Sequence, residues 1–290
     1  MGFDRIVVGV DGSVEARAAL AWAAGQVDGE LVAVYGISQW AELAWASVQV
    51  DPSLILGEAR ALLDDSWCEP ATEAGATCQR ITREEEPATA LLGVADSMDA
   101  DLIAVGSHSH MRWTPHYLGS VASKLLHKTT RPLAIVPRLP VRAGTEAARI
   151  VVGVDGSASS RTALSWAISH ATDTNRDVRA VWVVDERLFY TSAWAPAIDI
   201  HRIEVDADAA LAEIVEAELA RGESDVNVDR DVVYGDPALH LIDRAEHADL
   251  LVLGVGHPEY MPELVIGSVP RRCATQSPCP VIFVPSGSMG

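Results

Sequence analysis

The nine residues Arg5-Ile6-Val7-Val8-Gly9-Val10-Asp11-Gly12-Ser13 recur unchanged as Arg149 to Ser157. An internal repeat of this quality means that whatever the first half folds into, the second half folds into as well. Further echoes keep the same order: Ala-Leu-x-Trp at Ala19 and Ala163, Ala-Asp-Leu at Ala100 and Ala248, Gly-Ser-Val at Gly119 and Gly267, Val-Pro at Val136 and Val284. The offset grows only from 144 residues at Asp11/Asp155 to 148 at Gly119/Gly267, so one small net insertion separates two colinear copies. A chain of 290 residues has room for two such domains, each with its own core. We expect them at 1–139 and 147–290, with the weakly periodic stretch Pro137 to Arg149, which contains Pro140 and Gly144, as the linker.

Each copy alternates short apolar runs with helical patterns. Ile6 to Val10, Leu31 to Tyr35, Leu102 to Val105 and Leu133 to Val136 read as buried strands, with a less apolar one near Thr77 to Thr82. Leu91, Val94, Ala95 and Met98 fall on one helical face, as do Ala238, Leu241, Ile242 and Ala245. Leu211, Ile214, Val215 and Leu219 mark another helix, with Gly222 closing it. Strands apolar throughout and alternating with helices imply a parallel sheet covered on both faces. The expected fold class is α/β: two tandem doubly wound, Rossmann-like domains whose ligands sit beyond the carboxyl ends of the strands, at the topological switch point.

Charge narrows the partners. With 41 acidic against 22 basic side chains the net charge is -19, which opposes a phosphate backbone and disfavours nucleic acid. No apolar run approaches the roughly 20 residues that cross a bilayer, and the N-terminus lacks a basic-then-apolar leader, so no membrane partner and a cytoplasmic protein are expected. Cys68, Cys78, Cys273 and Cys279 form no Cys-x-x-Cys pair and read as buried or idle thiols rather than a zinc site or disulfide framework.

Two segments in each copy carry candidate chemistry. The first is Val-Asp-Gly-Ser, which places Asp11 or Asp155 at the end of the first strand. Turn formation competes as an explanation, because Asp-Gly is a turn pair and Ser13 or Ser157 suits a helix N-cap. The second is Gly106-Ser-His-Ser109 followed nine residues later by Gly119-Ser120, mirrored by Gly254-Val-Gly-His257, nine residues, and Gly267-Ser268. Glycines allow backbone amides to approach phosphate oxygens, and a helix starting at Gly-Ser offers unpaired N–H groups at its positive end. His108 and His110 lack a neighbouring carboxylate or cysteine to complete a metal shell. No Gly-x-Ser-x-Gly elbow is present. Trp22 and Trp166, each in a first helix, read as core residues, and Trp40, Trp45, Trp113 and Trp194 fall in less regular segments.

Through Val-Gly-Val-Asp-Gly-Ser, the Gly-x-x-Gly-x9-Gly-Ser/Thr pattern and the closing Pro-x-x-x-Val-Pro strand, the chain resembles the universal stress protein family over almost its whole length. That resemblance implies five-stranded sheets of order 3-2-1-4-5, with pairing of two domains through their last strands. It also implies a pocket for ATP or a related adenine nucleotide, ADP, AMP or cyclic AMP, with Mg on the phosphates. Asp11 with Gly36, and Asp155 with Val183, would hold adenine and ribose. Gly106, Gly119, Ser120 and Val121, and Gly254, Gly267, Ser268 and Val269, would hold phosphates. The tandem copies can satisfy the pairing surface within one chain, and a homodimer and an unknown protein partner stay open.

Ser109 and His257 stand where the family pattern has its second glycine, and a side chain there opposes close approach of phosphate or a positive φ. The first loop carries His108, His110, Arg112 and His116 without a carboxylate, and the second carries Glu259 and Glu263 with His257 as its cation, so an anion is favoured in the first site. Three functions are weighed: a nucleotide-dependent sensor or regulator, a protein-interaction module whose pockets have lost nucleotide, and an enzyme related by fold. The chain offers no Walker lysine and no evident general base, so at most slow ATP hydrolysis is expected. Nucleotidyl-transferase signatures are absent, and a receiver domain would place its phosphoacceptor on the third strand.

Overall fold

The structure, a computed structural model, describes residues 2–37, 52–108, 118–138, 149–185, 200–222, 224–256 and 267–287. The chain divides into two compact units, Met1–Leu139 and Pro140–Gly290.

The first unit runs β1 (Phe3–Gly9), α1 (Val14–Ala24), β2 (Val27–Gly36), α2 (Pro52–Leu62), a π-helical turn (Leu63–Trp67), α3 (Glu69–Glu73) and β3 (Cys78–Arg83). It continues through α4 (Pro87–Ser97), β4 (Leu102–Gly106), α5 (Ser120–Lys128) and β5 (Leu133–Val136). The strands pair in parallel in the order β3-β2-β1-β4-β5. Consecutive residues Ile6, Val7 and Val8, and all of Leu133 to Val136, are buried, so these strands are covered on both faces. Edge strand β3 mixes partly buried with exposed residues and has no fully buried one, in keeping with its polar sequence. Leu91, Val94 and Ala95 turn the face of α4 into this core.

The second unit repeats the plan as β6 (Arg149–Gly153), α6 (Ala158–Thr174), β7 (Asp177–Asp185), α7 (Ile200–Gly222), β8 (Val228–Gly235), α8 (Pro237–Ala245), β9 (Leu250–Val255), α9 (Ser268–Gln276) and β10 (Val281–Pro285). Its parallel order is β8-β7-β6-β9-β10, the same 3-2-1-4-5 topology. Buried Ala238, Leu241 and Ala245 on α8, and Leu211, Ile214 and Val215 on α7, follow the apolar spacing of the sequence.

Two repeated motifs turn out to hold the scaffold. In Ala-Asp-Leu, the Asp101 carboxylate accepts the Arg5 N–H at 2.8 Å while the Asp101 N–H donates to the Arg5 carbonyl at 3.0 Å. Asp249 makes the same exchange with Arg149, at 3.0 and 2.9 Å. Each aspartate therefore fixes the register in which the fourth strand enters beside the first, at the sheet end opposite the strands' carboxyl ends.

The second device is an acid that caps one helix and pairs with the next. Glu86 caps α4 and pairs with Lys124 of α5 at 2.9 Å. Asp236 caps α8 through the Leu239 N–H and takes Arg272 of α9 on both oxygens, at 2.8 and 2.7 Å. Burial pushes the Asp236 carboxyl up, but the Leu239 amide and the Arg272 guanidinium outweigh it and hold it below the usual range. Its contribution is therefore present above the unfolded carboxyl pKa and lost as pH falls through the depressed one. Asp236→Ala is expected to lower stability by about 1–2 kcal/mol at pH 7, and the deficit should shrink below about pH 4. Urea unfolding of parent and variant at both pH values checks this; a deficit that does not change with pH would contradict it.

The tryptophan expectation needs correction. Trp22 and Trp166 lie on their helices but are only partly buried, their neighbours Ala19, Leu20, Ala163 and Leu164 filling the core instead. Trp40, Trp45, Trp113 and Trp194 lie outside the described residues.

Candidate functional site

In each unit the cleft opens where β1 and β4, or β6 and β9, end and their connections run to opposite faces of the sheet. Gly12 and Gly156 adopt φ of +78° and +79°, a left-handed turn that returns the chain into the first helix. Asp11 Oδ1 accepts the Ser13 N–H at 2.9 Å, and Ser13 Oγ accepts the Ala16 N–H at 3.1 Å as N-cap of α1. Asp155 Oδ1 and Ser157 Oγ repeat this with Ser157 N at 3.0 Å and Ser160 N at 3.2 Å. Turn chemistry thus employs one oxygen of each aspartate, and among the described residues no donor reaches Oδ2 of Asp11. Burial raises the Asp155 carboxyl, but hydrogen bonds from Ser157 and Ser160 dominate and hold it ionised below its ordinary value.

The first cleft has a volume of about 250 Å³ and is lined by Asp11, Tyr35, Gly36, Gly106, His108, Gly119, Ser120 and Val121 together with apolar Val34, Pro87 and Leu91. Gly36 lets α4 close on the end of β2, since a Cβ there would stand 2.7 Å from Pro87 Cα. Burial, and secondarily the Asp11 charge, raise the Tyr35 phenol and keep it a neutral donor. The Gly119 N–H, expected to be free for phosphate, instead donates to Ser107 O at 3.0 Å. The open donors belong to the following turn: no side chain caps α5, and its first intrahelical bond is Ser123 N to Gly119 O. His108 binds Ser107 Oγ through Nδ1 at 3.0 Å, while its Nε2 is buried and has no partner among the described residues. In the tautomer in which Nδ1 accepts the Ser107 hydroxyl proton, Nε2 carries an N–H, and that donor beside an uncapped helix N-terminus fits an anionic group.

The second cleft, about 660 Å³, differs in its chemistry. Asp155, Val183, Gly254 and Val269 line it, together with Trp182, Asp185, Asp206 and Pro270; Gly267 and Ser268 are not among its lining residues. Three carboxylates and no cation face it among the described residues, against one carboxylate and one imidazole in the first. Pro270 is the third residue of α9 and lacks an N–H, removing one donor from the cradle. Ser109 and His257, with the charged loop residues Arg112, Glu259 and Glu263, lie outside the described residues.

Strand register aligns the two sites. Val34 pairs with Gly9 and Val181 with Gly153, so Tyr35 matches Trp182 and Gly36 matches Val183. Each turn glycine also meets an indole. A Cβ on Gly12 would lie 2.6 Å from Trp67 Nε1, and one on Gly156 would lie 3.1 Å from the Trp182 ring. Trp67 and Trp182 were not read as site residues from the sequence; the signal available for Trp182 was its place one residue before Val183.

These features define a tandem α/β protein with a cleft at the carboxyl ends of the strands in each unit. The universal stress protein family model matches residues 2–137 and 147–285. The chain belongs to the universal stress protein family. It is 32% identical over 288 residues to a universal stress protein of Mycobacterium tuberculosis, covering 96% of this chain and 95% of that one. A relative from Mycolicibacterium smegmatis is 27% identical over 298 residues, covering 96% of each. The crystal structure of a universal stress protein from Archaeoglobus fulgidus covers 98% of this chain and 99% of that one with a TM-score of 0.69 at 17% identity, a likeness of fold. Among the described residues no helix is long and apolar enough to cross a membrane.

Proposed function

We propose that the protein binds ATP or a related adenine nucleotide in its first unit and acts as a nucleotide-dependent regulator, with the second unit binding it more weakly or not at all. The observation that carries this reading is the buried His108 Nε2, which has no partner among the described residues, beside the uncapped start of α5 in the Asp11 cleft. Asp11 and the strand end at Gly36 would hold the nucleoside, and His108, Ser120 and Val121 its phosphates; Mg, if present, would accompany those phosphates. The bound nucleotide supplies a charged group whose presence or absence the cleft reports. In the second unit the Asp206 carboxylate and the missing Pro270 amide each oppose an anion by about 1 kcal/mol, so the difference in affinity should reach at least about tenfold.

Calorimetric titration of the full chain with ATP and ADP tests this. Asp11→Ala should abolish the tighter binding event and Asp155→Ala should leave it. A larger loss from Asp155→Ala would reverse the assignment. No heat and no thermal shift with either nucleotide would favour the interaction-module reading, which the acid-lined second cleft already favours for that unit.

A further inference from the structure

Cys68 and Cys78 come together outside the cleft. Cys68 follows the π-helical turn and is fully buried, Cys78 opens β3 and is partly exposed, and their sulfurs lie 4.0 Å apart. Both are free thiols. We propose that Cys68 and Cys78 form an oxidation-sensitive dithiol that closes to an intrachain disulfide under a hydroperoxide and carries that change through Trp67 to the Asp11 turn.

The neighbouring groups suit the two sulfurs to different roles. The hydrogen bond from Cys78, with help from the Arg80 guanidinium and against burial, brings the Cys68 thiol down to about 7, while the same bond and burial push Cys78 up. The pair therefore shares one proton near neutrality, held on Cys78. Asp64 also faces the pair and pairs with Arg80 at 3.9 Å. Cys273 and Cys279 are buried, and burial first of all raises both to about 12, so they stay protonated and unreactive.

The chemistry balances with hydrogen peroxide as oxidant. The Cys68 thiolate takes the Cys78 proton along the bond between the two sulfurs, and the partly exposed Cys78 sulfur, now a thiolate, attacks one peroxide oxygen as the O–O bond breaks. The departing hydroxide recovers that proton from Cys68 and leaves as water, so Cys78 becomes a sulfenic acid and Cys68 is again a thiolate. The Cys68 thiolate then attacks Cys78 Sγ, the S–O bond breaks, and hydroxide leaves. Two sulfurs have lost two electrons in all, and peroxide has accepted them. A disulfide is about 2 Å long, so the sulfurs must approach by about 2 Å. Cys68 lies at the joint between the π-helical turn and α3, with φ -94° and ψ 3°, and Trp67 is its immediate neighbour. The Trp67 indole meets Tyr35 edge-on at 5.1 Å and covers Gly12, so movement of Cys68 displaces the cover of the Asp11 turn.

The test needs no nucleotide, so its outcome is separate from that of the binding proposal. The full chain is treated with hydrogen peroxide, alkylated and mapped by mass spectrometry. We expect loss of two of its four alkylatable thiols, a peptide pair joined through Cys68 and Cys78, and recovery by dithiothreitol. Cys68→Ser should stop at a sulfenic acid on Cys78, trapped by dimedone. Cys78→Ser should leave Cys68 alkylatable. Four remaining thiols, a bond between chains, or prior oxidation of Cys273 or Cys279 would overturn the proposal. Tryptophan emission should change on oxidation of the parent and not of Trp67→Phe; a change that survives in that variant would overturn the transmission to the turn.

Discussion

Gly254→Ala should lower the stability of the second unit by about 3 kcal/mol or more, whereas Gly267→Ala, in the same predicted phosphate motif, should change it by less than about 0.5 kcal/mol. A Cβ on Gly254 would stand 2.1 Å from Ser159 O, 2.3 Å from Ser159 C and 2.7 Å from Ser160 N. All three are backbone atoms of the first turn of α6, so no rotamer change relieves the contact and the helix must shift off β9. Gly254 has no positive φ, and the cost is one of contact alone. At Gly267, with φ -55°, the nearest atom to a Cβ among the described residues is Pro270 Cδ at 3.5 Å, an ordinary van der Waals distance. Gly106 is the counterpart in the first unit, where a Cβ would meet Glu15 C at 2.7 Å. Chemical denaturation of the two variants beside the parent measures the contrast, and equal midpoints for Gly254→Ala and the parent would refute it.

That contrast shows what the sequence could and could not say. The repeat, the apolar runs and the helical stripes were enough to place parallel strands alternating with helices in each unit, because burial on both faces leaves a plain mark on composition, whereas the strand order was implied by the family resemblance alone. The glycine pattern was ambiguous, since a glycine near phosphate and a glycine against a helix start look alike in one dimension. In space Gly106 and Gly254 are required by packing, and Gly36 by α4, whether or not a ligand is present. The Asp-Gly-Ser motif likewise serves two purposes at once, forming the turn and lining the cleft. The echo Ala-Asp-Leu, equally well repeated, belongs to the far end of the sheet.

Other site features had weaker signals. Trp67 belongs to the segment between β2 and β3, where the copies share no motif, so only the fold brings it onto Gly12. Pro270 was readable as the loss of an amide at the third position of a helix. The electrostatic difference between the clefts was sought in the loops after β4 and β9. Those loops lie largely outside the described residues, and among the described residues the clefts differ in charge at Asp185, which ends β7, and at Asp206 of α7. A strand end and a helix distant in sequence converge on one cleft only after the sheet has formed.

The stability of the second unit should also fall steeply on mild acidification, and His170 is the reason. It lies on α6, 7% exposed, with its ring stacked on Trp166 at a centroid distance of 5.1 Å and an interplanar angle of 16°. Burial first, and then the Arg176 charge against the opposing Asp173, brings its pKa down to about 4. The folded unit therefore keeps a neutral imidazole, whereas the unfolded chain binds a proton below about 6.5. With the folded pKa depressed, the full contribution is present above pH 6.5 and is lost as pH falls from there toward 4. The shift corresponds to about 3 kcal/mol across that window. His170→Phe keeps an aromatic ring against Trp166 and removes the titration. Between pH 7.5 and 4.5 the variant should lose about 2–3 kcal/mol less than the parent, because carboxylates that titrate in both cancel in the difference. Denaturant unfolding of the two proteins at several pH values provides the measurement. Parallel profiles would mean that the imidazole is already charged in the folded unit and that its burial beside Trp166 does not govern its protonation.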